Sequence, residues 1–179
     1  MNPIRSIFLV IFSIFLNGNS QGAEGPSLDP HLEPFRPLLE KTWRGQFKNS
    51  KPDKPTVDIM RWERALNGKA VRILHSINDG VYGGETLLIW DAKKQSVVFY
   101  YFTTGGFMTT GTMEFKEGKI FSREIVSGEA GGVTEVRGTS RIQSDGSFHV
   151  KSEHLKNGQW SPGHEVIYHE APDAKVIFK

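Results

Sequence analysis

Asn67-Gly68 is the step that most narrows what this chain can fold into. It stands between two β-rich runs, TVDIMRWERAL (56–66) and KAVRILHSI (69–77). An Asn-Gly pair in that setting marks a two-residue hairpin loop, because both central residues of a type I′ turn take positive φ. A loop of fixed length also fixes the register. Met60 then faces His75, Trp62 faces Ile73 and Arg64 faces Val71. Glu63 faces Arg72 on the other side, a charge pair suited to a solvated outer surface. One face of the hairpin is therefore mostly apolar, with Arg64 and His75 as its polar members. It reads equally as the wall of a binding barrel and as half of an ordinary core.

The rest of the chain repeats the pattern. Strand-like runs of five to ten residues alternate with turn signals at Asn78-Asp79-Gly80, Asp91-Ala92-Lys93-Lys94-Gln95, Glu117-Gly118, Asp145-Gly146 and Asn157-Gly158. Pro162-Gly163 marks a bend or a bulge, and a last strand is expected over 175–178. About ten strands joined by consecutive hairpins predict an all-β, antiparallel up-and-down barrel, with a β-sandwich as the alternative. Leu32, Phe35, Leu38 and Leu39 repeat at helical spacing between prolines, which predicts a short N-terminal helix lying on the body as a lid or plug. Pairing across Glu117-Gly118 places Gly111, Met113 and Phe115 with Ile120, Ser122 and Glu124. Pairing across Asp145-Gly146 places Arg137 on one face with His154.

Residues 1–20 read as a signal peptide: Arg5 precedes an apolar run, Ile7 to Leu16, too short to span a bilayer. Residues 21–31 read as a linker, and 32–179 as a single barrel domain. The protein is thus expected in the periplasm or secreted, with no membrane span once the signal is removed. A net charge of +2 gives no reason to expect a nucleic acid partner. With no cysteine, disulfides, thiolate metal sites and thiol catalysis are excluded.

No motif carries a defined reaction. His164-Glu165-Val166-Ile167-Tyr168-His169 lacks the four-residue histidine spacing of a zinc-protease helix. There is no nucleophile elbow, phosphate loop or dinucleotide fingerprint, and no spacing brings two carboxylates together for glycoside hydrolysis. His75, His154 and His164 could share a metal only if the fold gathers three strands. The sequence therefore calls for no catalytic residue, metal or cofactor. What remains is a wall of apolar side chains with charged groups among them, which an acidic amphiphile would satisfy. Trp62, Arg64 and His75 lead as ligand-binding residues, followed by Arg137 and His154.

The segment Leu38-Leu39-Glu40-Lys41-Thr42-Trp43-Arg44-Gly45 resembles the start of calycin barrels, where a tryptophan on the first strand follows a short helix and plugs the base. With Trp62-Glu63-Arg64-Ala65-Leu66-Asn67-Gly68 it is similar to bacterial lipocalin-like proteins of unknown function, over roughly residues 32–168. Lys41 stands where true lipocalins have a glycine. The resemblance implies an exported barrel binding a small, mainly hydrophobic, possibly acidic ligand. Related calycins also suggest a haem- or metal-binding barrel of the nitrobindin type. Two further readings are an envelope protein-interaction module built on the Tyr100-Tyr101 region, and an enzyme using a His/Glu pair.

Overall fold

The computed structural model describes residues 27–127 and 131–179. The expected signal peptide, and the linker as far as residue 26, lie outside the described residues. Ten antiparallel strands form a closed barrel. They are β1 Lys41–Phe47, β2 Val57–Ala65, β3 Ala70–Ile77, β4 Tyr82–Asp91, β5 Ser96–Thr103, β6 Met108–Lys116, β7 Lys119–Val126, β8 Val133–Ile142, β9 Phe148–Lys156 and β10 Gln159–Glu170. Each strand pairs with the next, and β1 pairs with β10, Trp43 opposite Glu170 and Phe47 opposite Val166. Closure removes both sheet edges. The sandwich alternative is thereby excluded.

The turns set the register as their chemistry dictates. Asn67 and Gly68 take φ of 52° and 85°, and Lys69 N–H closes on the Leu66 carbonyl at 3.0 Å. Trp62 therefore faces Ile73 and Met60 faces His75, as expected. Glu117 and Gly118 do the same for β6 and β7, so Gly111 faces Glu124 and Met113 faces Ser122.

The hairpin between β8 and β9 differs. Its loop has five residues, closed by Gln143 N–H on the Ser147 carbonyl at 2.8 Å, with the Asp145 carboxylate accepting from Ser147 N–H at 2.9 Å. The centre of the turn falls on Asp145 itself, so Arg137 faces Glu153 and Val136 faces His154. The expected sharing of a face by Arg137 and His154 is corrected: a one-residue slip sends alternate side chains to the other surface.

One end of the barrel is plugged. A 3-10 helix, Pro30–Leu38, buries Leu32, Phe35 and Leu38. Their spacing of three matches the three-residue turn of a 3-10 helix, which sets them on one line. Asp29 caps it by accepting from His31 N–H, and Leu28 is already buried. The plug therefore begins inside the segment expected to be linker. Its apolar line packs on Trp43, Trp62, Val71, Leu88, Ile120 and Phe148. Trp43 lies over the plug's end and donates its Nε1–H to the Leu38 carbonyl at 3.4 Å.

The strand expected over 175–178 is absent. That segment runs as an extended tail whose Ile177 N–H bonds the Ser76 hydroxyl at 3.0 Å, on the outside of β3. A closed barrel offers no free edge for an eleventh strand. Among the described residues no helix is long and apolar enough to cross a membrane.

Truncating Phe35 to alanine leaves a cavity where the plug meets Trp62, whose ring centroid lies 6.1 Å away. We expect Phe35→Ala to lower unfolding stability by about 3–5 kcal/mol, measured by urea denaturation.

Candidate functional site

Strand alternation divides the inner surface into two halves. Toward the plug the inward residues are large and buried: Trp43, Trp62, Val71, Leu88, Phe99, Ile120 and Phe148. Beyond them, on β6 to β9, the inward residues Gly111, Met113, Ser122, Glu124, Val136, Gly138, Ser152 and His154 are only half-buried. This half of the barrel is open to solvent.

Ser122, Gly138 and Ser152 face one another across β7, β8 and β9. The row continues into β10 at a bulge between Pro162 and Glu165. There the Ser152 hydroxyl takes His164 N–H at 2.8 Å, and Gly163 sits against Ser152 and His154. Four neighbouring strands thus present almost no side chain at one level, and a cavity of about 670 Å³ lies along them. Glycine does different work elsewhere on the inner wall. A Cβ at Gly45 would meet the Tyr168 ring at 2.6 Å, one at Gly84 the Tyr101 ring at 2.4 Å, and one at Gly111 the Phe99 ring at 2.4 Å. Those three make room for aromatic rings. A Cβ at Gly138 would meet only the Ser122 hydroxyl within 3.5 Å. The space beside Gly138 is left empty by sequence, since packed interiors rarely hold such voids.

Polar groups occupy other parts of the inner surface. Asp58, buried on β2, accepts the Tyr168 hydroxyl at 2.8 Å and pairs with His75 Nδ1 at 3.0 Å. His75 Nε2 bonds the Tyr101 hydroxyl at 2.7 Å, and Tyr101 meets the Tyr82 hydroxyl at 3.1 Å. Burial pushes the Tyr101 phenol far above its ordinary range, reinforced by its bond to Tyr82. Burial and the adjacent Asp58 carboxylate do the same to Tyr168. On β7, Glu124 accepts from the Thr109 hydroxyl at 2.5 Å, and burial raises its pKa. His154 and His164 stand edge to face, ring centroids 5.3 Å apart. Burial, then the neighbouring His154, holds His164 below its ordinary pKa.

Of the residues singled out by sequence, His75 and His154 point into the open half, and Trp62 lies in the plugged half. Arg64 does not: its Nε–H donates to the Ser27 carbonyl at 2.6 Å, at the plugged rim. Arg137 lies on the outer face, paired with Glu153 at 2.7 Å and stacked over Trp160 at 4.2 Å. The strand lysines and arginines face outward, except Lys41 and Arg64 at the plugged rim and Lys156 at the β9–β10 hairpin tip. Among the described residues no three of His, Asp and Glu are arranged to hold a metal ion, so His75, His154 and His164 do not converge. The row Ser122, Gly138, Ser152 and Gly163 escaped sequence reasoning. Its signal was present: small, β-poor residues at alternate strand positions.

The architecture is that of a closed ten-stranded antiparallel barrel. Among solved structures it is similar to Rv2717c from M. tuberculosis. The likeness covers 81% of this chain and 99% of that one, with a TM-score of 0.59 and 16% identity. No family model matches the sequence, and no curated protein matches it.

A raised phenol pKa stabilises the fold fully below the unfolded value near 10, and that contribution is lost as pH rises past it. We therefore expect Tyr101 and Tyr168 to stay un-ionised in the folded protein. In a spectrophotometric titration at alkaline pH, at least two of the four phenolate steps should appear only with unfolding. Four steps in folded protein would refute this.

Proposed function

We propose that this protein is an exported barrel that holds a small, mainly apolar molecule in its open half. The observation that carries the reading is the unfilled row at Ser122, Gly138, Ser152 and Gly163, with its cavity of about 670 Å³. That volume is of the size of small-molecule sites. The plugged half supplies the packing, so the open half is free to stay unpacked. The charge pattern of residues 1–20 supports export. Of the arginines expected to meet an acidic group, Arg64 is taken up by the Ser27 carbonyl at the plugged rim, and Arg137, which borders the cavity, is already paired with Glu153.

A second reading has one observation in its favour. Neither ring of His154 or His164 is hydrogen-bonded among the described residues, and burial lowers the His164 pKa, which favours the neutral imidazole that ligates a metal. These two side chains would hold a haem or metal group, which would supply redox or gas-binding chemistry. Haemin titration tests this: a Soret shift lost in His164→Ala supports it, and no shift removes it.

Native mass spectrometry of protein from its own organism tests the main reading, which expects a co-purified small molecule. Gly138→Leu should fill the space while displacing only the Ser122 hydroxyl. We expect it to remain folded by circular dichroism and to lose at least tenfold in affinity for an apolar fluorescent probe. Unchanged affinity in the folded variant would count against the site.

A further inference from the structure

We infer that the molecule held in the open half presents a basic nitrogen to the carboxylate of Glu124. This rests on the ligand-holding reading above and narrows it to a chemical class.

Glu124 is the next inward residue on β7 after Ser122, one step along the inner wall from the residues that line the cavity. Its neighbours can be taken strand by strand. On β6, Thr109 donates its hydroxyl to Oε1, and Gly111 stands directly opposite. On β8, Val136 stands opposite, offering no polar group. On β9, His154 faces Val136 and acts on Glu124 through its charge when protonated. Tyr101 on β5, opposite Thr109, is the remaining titratable neighbour. No lysine or arginine is paired with Glu124 among the described residues. Oε2 has no hydrogen-bond partner there, and it is not sealed from solvent either.

The other inner carboxylate is different. Asp58 has both oxygens engaged, one by Tyr168 and one by His75. A carboxylate can accept at several lone-pair positions, and Glu124 uses one, for a neutral hydroxyl. A half-buried carboxylate without a cation costs stability, and a cationic group entering from the cavity would remove that cost. A carboxylate ligand would instead add negative charge beside Glu124, and the cations that border the cavity, Arg137 and Lys151, are already paired with Glu153 and Glu165.

Three probes with one apolar skeleton separate the possibilities: 1-naphthylmethylamine, 1-naphthalenemethanol and 1-naphthoic acid. Their affinities for the full chain are measured by calorimetry at neutral pH, for the native protein and for Glu124→Gln. The variant keeps the side-chain shape and an acceptor for Thr109. We expect the amine to bind at least tenfold tighter than the alcohol, and the acid more weakly than the alcohol. In Glu124→Gln the amine should fall to the level of the alcohol, whose affinity stays the same. In mildly acidic buffer, amine binding should release protons from the native protein and not from the variant. Equal or tighter binding of the acid, or an amine affinity unchanged by the substitution, overturns the inference. Binding of the alcohol without preference for the amine overturns it while leaving the ligand-holding reading standing. Failure of all three to bind overturns both.

Discussion

The pairing of β1 with β10 is the constraint on which the rest of the molecule depends. Once Trp43 sits opposite Glu170 and Gly45 opposite Tyr168, the circle is complete and every strand has a fixed inner and outer face. The C-terminal tail cannot join the sheet and lies along its outside. The plug has one end to fill, and its three-residue apolar spacing suits a 3-10 turn over Trp43 and Trp62.

Closure also lets the packed core and the open space occupy different halves. Leu32, Phe35 and Leu38 complete a continuous apolar core with the large inward residues near them. Burial of that kind is the dominant favourable contribution to folding. The open half is held instead by strand pairing and by the polar chain from Tyr168 through Asp58, His75 and Tyr101 to Tyr82. A satisfied network of this sort fixes side chains without filling space. Apart from Tyr168 on β10 it lines β2 to β5, while the space lies along β7 to β10. The two walls are chemically unlike, one saturated with hydrogen bonds and the other nearly bare.

Much of the fold was legible because tight turns carry their own geometry. The turns at Asn67-Gly68 and Glu117-Gly118 are each centred between the two residues, so the facing pairs could be written down directly. Asp145-Gly146 looks the same in sequence and behaves differently. The Asp145 carboxylate bonds Ser147 and widens the loop to five residues, which moves Arg137 to the outside. Site residues inherited these outcomes. His75 was assigned to a wall correctly because its turn was tight, and Arg137 was misplaced because its turn was not. Arg64 has the parity of an inward residue but stands at the plugged rim, where Ser27 takes its guanidinium.

By itself the sequence determined the strands up to β10, the antiparallel meander and the plug, since each follows from local periodicity and turn chemistry within a few residues. It also determined that no thiol chemistry is available. Only the tertiary structure decided which half is empty. That depends on Ser122, Gly138, Ser152 and Gly163, spread over some forty positions of sequence, reaching one level of four adjacent strands. It depends equally on Gly45, Gly84 and Gly111 being occupied by neighbouring rings while Gly138 is not. Such coincidences arise from barrel stagger and a bulge, which no local pattern encodes.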